Sequence, residues 1–224
     1  MATPYSLQVY DEVTSTQDVA AMGLVDTPVL VVSGRQTEGR GRSRRSWESA
    51  PRAVAASLAF HPVWDIGSWP LIPLVAGLAA ADVLDRDVGL KWPNDLLLGP
   101  DKIGGILVEG SGGVLVVGCG LNLWWPEAPP GSCALWFDDP GPGAVVDTAR
   151  AWADRFLERM SAGPANWGRD RYLELSVTVG RSVTWEPGGE GQAIDIGTDG
   201  SLIVATTTGT QSLIAGEIRH VRAV

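Results

Sequence analysis

Residues Leu71 to Leu84 are almost wholly apolar at helical spacing, with Leu71, Leu74, Val75 and Leu78 on one stripe. A helix that is apolar on nearly every side must be buried, and its many alanines let neighbours pack closely. The rest of the chain must therefore supply covering layers. Ser6 to Val13, Pro28 to Ser33 (through Val-Leu-Val-Val) and Ala53 to Phe60 read as strands. Ile103 to Glu109 and Val114 to Gly120 read as a hairpin joined by Ser111-Gly112-Gly113. Val145 to Met160 reads as an amphipathic helix, with Ala149, Trp152, Phe156 and Met160 inward and Arg150, Asp154, Arg155 and Glu158 outward. A short helix should start at Ser15, a capping residue with Asp18 three positions on, and stop at Gly23. These elements predict an α/β (α+β) fold in which a mixed β-sheet packs with helices.

After about Leu173 the texture changes to short alternating strands and glycine turns. Ser182 to Trp185 stops at Pro187-Gly188-Gly189, and Ala193 to Ile196 meets Leu202 to Val204 across Asp199-Gly200. Gln211 to Ala215 and Ile218 to Val221 complete five short strands, the pattern of a small β-barrel. The expected organisation is a catalytic-sized unit over 1–173 and a small C-terminal β domain over 174–224.

Two stretches lack apolar period. Pro126 to Gly143 is rich in Pro, Gly and Asp. Gly34 to Ser49 is rich in Gly, Arg and Ser, and long loops of this kind in compact domains are usually functional or disordered. Arg35, Arg40, Arg42, Arg44, Arg45 and Arg52 stand in or beside the second stretch, against only Glu38 and Glu48. The chain as a whole carries a net charge of -9, which argues against a general nucleic-acid binder. A local basic loop in an acidic protein points instead to one small anionic ligand.

Composition narrows the class further. The 224 residues are 45% hydrophobic and 19% charged, the profile of a soluble globular protein. No run of 18 uncharged apolar residues is evident, so no membrane span is expected. The first residues lack a basic start followed by an apolar run, so no secretory signal is expected. Cys119 and Cys133 form neither a disulfide framework nor a metal spacing, and the cytoplasm is the default compartment. Fifteen of the seventeen basic residues are arginine, and the two lysines, Lys91 and Lys102, lie eleven residues apart. Where arginine is so favoured, a retained lysine is either chemically required or a chance survivor.

Three segments carry chemistry. In Gly39-Arg40-Gly41-Arg42 the glycines let backbone N–H groups approach an anion and the arginines add charge-assisted donors, although such runs also occur on solvated surfaces. Trp47, at the end of that loop, can stack on a purine or simply anchor the loop to the core. In Lys91-Trp92-Pro93-Asn94-Asp95 and Lys102 to Glu109, a lysine ammonium and the Asp95 carboxylate can flank one pocket. Asp95 can hold Mg2+, assist proton removal from an amine, or only cap a turn. Gly104-Gly105 and Gly118-Cys119-Gly120-Leu121-Asn122 suggest close approach of a ligand or of backbone.

Together these segments resemble the biotin protein ligase (biotin–acetyl-CoA-carboxylase ligase) family. Ser15-Thr16-Gln17 is similar to the family's Ser-Thr-Asn with one change, and Gln36 with Gly39 to Arg42 is similar to its biotin and adenylate loop. Lys91 to Asp95, Lys102 to Glu109 and Gly118 to Asn122 follow in family order, and Gly191 to Ile196 with Ala215 to Ile218 look like its SH3-like C-terminal domain. The resemblance implies an ATP- and Mg2+-dependent enzyme. It would activate biotin to biotinyl-5′-AMP and pass it to a lysine of a biotin carboxyl carrier protein. Carried over residue by residue, Ser15, Thr16, Gln17, Gln36, Arg40, Gly41, Arg42 and Lys102 would surround biotin and its acyl phosphate. Gly105 and Gly120 would let the ligand pass. Trp47, Lys91, Asn94 and Asn122 would face the nucleotide. Lys102, Arg40, Arg42 and Asp95 would carry the catalysis, with Asp95 near a phosphate-bound Mg2+.

The chain departs from the family at Gln17, which lengthens an Asn, and at Glu38, which sets a carboxylate beside the anion site or pairs with Arg35 or Arg44. Arg44 stands where glycine is usual, and Arg52-Ala53 where a glycine-containing turn is usual. No helix-turn-helix is legible before Ser15, so a ligase without DNA partner or membrane contact is expected, with oligomeric state open. The competing readings are a lipoate or octanoate ligase or transferase of the same fold, and a biotin-binding protein whose chemistry has been lost.

Overall fold

The computed structural model describes residues 4–214 and 218–220, leaving aside the side chains of Arg44 and of 218–220. Strand β1 (Ser6–Val13) leads into helix α1 (Thr16–Gly23), β2 (Val29–Gln36) and β3 (Arg52–Phe60). A 3₁₀ turn over Ile66–Leu71 opens helix α2 (Ile72–Val83). Strands β4 (Val88–Lys91), β5 (Asp95–Leu98), β6 (Asp101–Ser111) and β7 (Val114–Trp124) complete a seven-stranded sheet in the order β1-β2-β3-β7-β6-β5-β4. Only β1 and β2 pair in parallel; the other neighbours are antiparallel, so the sheet is mixed as expected.

Alternation decides which face each side chain takes. Leu30 and Val32 of β2, Val54, Ala56 and Leu58 of β3, and Val117, Cys119 and Leu121 of β7 enter the main core. There they meet α2 and helix α3 (Gly143–Ser161), whose Trp152 and Phe156 rings stack with centroids 5.9 Å apart. The Trp152 indole N–H donates to Ala76 O at 3.1 Å, so its burial leaves no donor unsatisfied. Val29, Val31, Ala59 and Val116 point the other way and pack under Ala20 of α1. Helices thus cover both faces, but α1 is only two turns long. Part of its face stays open, and the site lies there.

Ile66–Val83 is long and apolar enough, by length and composition alone, to cross a membrane. The structure shows why it is apolar instead: from Ile72 to Ala81 all but one residue of α2 is buried. Asp82 at its end accepts from both Arg155 and Arg159 of α3.

The C-terminal strands β8 (Ser182–Trp185), β9 (Gly189–Ile196), β10 (Leu202–Thr206), β11 (Gly209–Leu213) and β12 (Ile218–His220) form an antiparallel sheet in the order β11-β10-β9-β8-β12. Ala215 and Val221, the ends of the last two strands as read from sequence, and Gly216-Glu217 between those strands lie outside the described residues. Val183, Ala193, Ile196, Leu202 and Val204 of this sheet belong to the same core as α2. Trp92 donates to Gly200 O at 2.9 Å and Trp167 to Thr198 O at 3.0 Å. A helix unread in the sequence, α4 (Arg169–Leu175), spans residues 173 and 174 and ties the two sheets through Arg169, bonded to the Asp195 carboxylate and Ile196 O.

Candidate functional site

The antiparallel register lines up Lys91, Asp95, Gly105, Gly120 and Ala55 as one row across β4, β5, β6, β7 and β3. Three of the five have no side chain beyond Cβ, so the middle of the row is a flat floor. Above it lies a cavity of about 170 Å³. Lys102 of β6 arches over Gly105: a Cβ on that glycine would lie 3.4 Å from Lys102 Nζ. Trp47 lies on Gly120, where a Cβ would come within 2.9 Å of two indole carbons. Gly118, one residue pair along on the same face, leaves room for the Gln17 amide. Gly104 is spare for a different reason: its missing Cβ would meet Gly120 O at 2.5 Å, which is strand packing rather than ligand space.

The wall opposite Lys102 is polar. The N-terminus of α1 brings Ser15, Thr16 and Gln17 against Gln36 at the end of β2. Gln36 Oε1 accepts from Thr16 N at 2.8 Å and Thr16 Oγ1 at 3.0 Å, and Thr16 Oγ1 also bonds Ser57 Oγ at 2.8 Å. Gln17 donates to Leu107 O at 3.1 Å. Ser15 Oγ, Gln17 Oε1 and Trp47 Nε1 are buried without a partner. Buried polar groups are normally satisfied, so three orphans around one cavity mark a place for a polar ligand. Ser15 takes the N-cap position of α1 but makes no side-chain capping bond, and Asp18 forms no capping box. The Asp18 carboxylate is held by Arg40 instead, at 2.7 and 2.8 Å.

The cationic side comes from the Gly39 to Trp47 loop. It folds back on itself through Trp47 N to Gly39 O at 2.8 Å and Gly41 N to Arg45 O at 2.7 Å. Ser43 takes a positive φ of 56° at the tip. Arg42 donates to Asn94 Oδ1 at 3.1 Å, and Asn94 is itself locked to the backbone of Ile106. Lys102 Nζ lies 2.5 Å from Asp95 Oδ1 and 5.5 Å from the centre of a Trp47 ring. The Arg40 guanidinium holds the Asp18 carboxyl below its ordinary value, and Asp18 and Glu109 in turn raise Arg40. The backbone of Lys102 is strapped by the 126–142 loop: its N–H donates to Gly131 O at 3.0 Å and its O accepts from Cys133 N at 2.9 Å.

Thirteen of the residues singled out in the sequence line this cavity: Ser15, Thr16, Gln17 and Gln36 on one wall, Arg40, Gly41, Arg42 and Trp47 on the loop, and Asn94, Asp95, Lys102, Gly105 and Gly120 at the floor and far side. Lys91 and Asn122 are not among the lining residues. Lys91 stands at the sheet-edge end of the floor row, opposite Asp95. Asn122 lies one pair beyond Gly120 on the same face, where its amide donates to Cys133 O at 3.1 Å. Glu38 is exposed and outside the cavity, and Arg35 pairs with Glu12 at 2.9 Å. The Arg44 side chain lies outside the described residues. Arg52 makes a two-pronged bond to Asp139 on the 126–142 loop. Sequence reading put Arg45 in the basic loop without a role of its own and missed Ser57, both of which line the cavity, and it gave Asp18 and Glu109 no part in the site. Only the register and the loop's path reveal them.

Among the described residues no cluster of three or more His, Cys, Asp and Glu is arranged to hold a metal. Asp95 is the one carboxylate lining the cavity among the described residues. That suits Mg2+ carried mainly by a ligand's phosphates, which needs only one or two protein carboxylates. Cys119 points into the main core, where burial raises its thiol well above the ordinary value. A second, apolar cavity of about 250 Å³ adjoins the first through Arg42, Asn94 and Ile106, and is walled by Trp69 and Trp92.

The model of the biotin/lipoate A/B protein ligase family matches residues 10–122. The chain is 32% identical to the biotin–[acetyl-CoA-carboxylase] ligase of Mycobacterium tuberculosis, over 91% of this chain and 83% of that protein. It is 28% identical to the enzyme of the same name from Paracoccus denitrificans, over 84% of this chain and 88% of the relative. The fold superposes on the biotin protein ligase of Aquifex aeolicus, solved in complex with biotin and ATP, with a TM-score of 0.81 at 24% identity, covering 97% of this chain and 99% of that one.

Proposed function

Because the chain belongs to the biotin/lipoate A/B protein ligase family, we propose that it is an ATP-dependent biotin–[acetyl-CoA-carboxylase] ligase that delivers biotin to one lysine of a biotin carboxyl carrier protein. One observation carries the reading: a floor without side chains, bridged by Lys102 and faced by orphaned polar groups. A ring rich in hydrogen-bonding groups, such as the ureido ring of biotin, suits Ser15 Oγ and Gln17 Oε1. Its aliphatic tail needs the flat path over Gly105 and Gly120.

In the first step a biotin carboxylate oxygen attacks the α-phosphorus of ATP. The new O–P bond makes a mixed carboxylic–phosphoric anhydride, and the bond to the departing pyrophosphate breaks. Two anions must meet, so cations have to neutralise their repulsion and the charge that grows on phosphorus. Lys102 is placed for this once it exchanges Asp95 for the ligand, with Arg42 and Arg45 beside it. Mg2+, when bound, would neutralise phosphate charge, and Asp95 is the residue that would hold it. Trp47 would cover the adenine after leaving Gly120, with Asn94 beside it; Lys91 and Asn122 would act from outside the cavity wall. In the second step the neutral amine of the carrier lysine attacks the acyl carbon and AMP leaves. Asp95 would orient that amine and accept its proton.

The family model spans lipoate enzymes too, so the acid is the point to test. Acid-dependent exchange of labelled pyrophosphate into ATP should occur with biotin and not with lipoate or octanoate. Exchange with octanoate alone would move the protein to the lipoyl branch. Tight biotin binding without exchange would make it a non-catalytic binder.

A further inference from the structure

Arg40 lines the cavity, and its guanidinium is taken up by two carboxylates. Its Nη1 donates to Asp18 Oδ2 at 2.7 Å, and its Nη2 donates to Asp18 Oδ1 at 2.8 Å and to Glu109 Oε2 at 3.0 Å. Asp18 belongs to α1 and Glu109 to β6, so loop, helix and strand meet at one charged point. An isolated surface ion pair holds little. This one is two-pronged and three-membered, the geometry in which a guanidinium is both strong and directional. With one cation between two carboxylates, the group carries a net negative charge. Arg40 therefore has no unmet call for a further anion while the group is closed.

We propose that Asp18 and Glu109 are positioning residues that latch the Gly39 to Trp47 loop over the cavity through Arg40, so that the activated acyl group is held until an acceptor amine takes it. This rests on the function proposed above. A mixed carboxylic–phosphoric anhydride hydrolyses readily, and a loop that stays shut keeps water away from it. The latch is built on charge rather than on packing, so it opens without disturbing either core.

The test uses the full chain with Asp18→Asn, Glu109→Gln and the conservative Asp18→Glu. The first readout needs no activity: the rate of trypsin cleavage after Arg40, Arg42, Arg44 and Arg45 in the ligand-free protein. Asp18→Asn and Glu109→Gln should speed cleavage roughly 3- to 10-fold with thermal unfolding unchanged, the range for losing a strong charged pair, and Asp18→Glu should stay near wild type. The second readout is capture of released biotinyl-5′-AMP by hydroxylamine, whose nitrogen attacks the acyl carbon as AMP leaves. Capture should rise by a similar factor in the two loosened variants while biotin-dependent pyrophosphate exchange is kept. Unchanged cleavage, or unchanged release from variants that still exchange pyrophosphate, would overturn the latch. If the wild type makes no adenylate, the functional reading fails, and the cleavage rates alone decide whether the loop is latched.

Discussion

Lys102 Nζ and Asp95 Oδ1 lie 2.5 Å apart at the head of the side-chain-free floor. The pair is a poised exchange: an anion entering the cavity competes with Asp95 for the ammonium. Asp95→Asn should therefore leave Lys102 more available, and biotin should bind at least as tightly as in the wild type. Transfer to the carrier should slow by about 100-fold, the usual scale for losing an acid–base group. Single-turnover kinetics, with adenylate formation and transfer measured separately, check this. Equal slowing of both steps would argue against a role for Asp95 at the amine.

Gly104 and Gly105 are neighbours with opposite uses. A Cβ at Gly104 would press on Gly120 O and Leu121 Cδ2, at 2.5 and 2.6 Å. Gly104→Ala should cost about 1–3 kcal/mol of stability through overpacking, read by urea denaturation. At Gly105 the added carbon would meet only Lys102 and Asn94 O, at 3.4 Å or more. Gly105→Ala should fold normally and raise the KM for biotin.

Ser15 Oγ is buried and unpartnered. Removing an unsatisfied hydroxyl costs little or is stabilising, by up to about 1 kcal/mol. Ser15→Ala should thus match or exceed the wild type in thermal stability and still bind biotin more weakly, as isothermal calorimetry would show. A loss of stability would mean that the hydroxyl works as a helix cap.

How much of this could be read from sequence depends on what fixed each feature. Alternation and helical period are local, so β1, β3 and α3 sit where the pattern puts them. α4 has seven residues, too few for a period, and the β4–β5 hairpin hides in a short leucine run. Site residues next to a glycine or a charge stood out. The floor itself did not, because it exists only once Asp95, Gly105, Gly120 and Ala55 are in register. Ser15 and Asp18 looked like helix-capping residues because capping is the nearest use for them. The orphaned hydroxyl and the ion pair with Arg40, 22 residues away, depend on tertiary structure.

The 126–142 strap that braces the Lys102 backbone is pinned to β3 by Arg52 and Asp139. The Arg52 guanidinium holds the Asp139 carboxyl at about 2, below its ordinary 3.8. A depressed carboxyl stabilises the folded arrangement fully above its ordinary value and loses that effect as pH falls through the folded one. The strap should stay pinned at neutral pH and loosen only between about pH 4 and pH 2. Hydrogen exchange of residues 126–142 should show that acid step, and Asp139→Asn should abolish it.

The most direct measurement is biotin-dependent exchange of labelled pyrophosphate into ATP by the wild type and by Lys102→Ala, with biotin binding followed in parallel. The wild type should exchange with biotin, and the variant should lose at least about 100-fold of that rate while still binding biotin, the scale for removing one charge that stabilises a transition state. Exchange by Lys102→Ala at the wild-type rate would contradict the assignment of Lys102 as the bridge between carboxylate and phosphate.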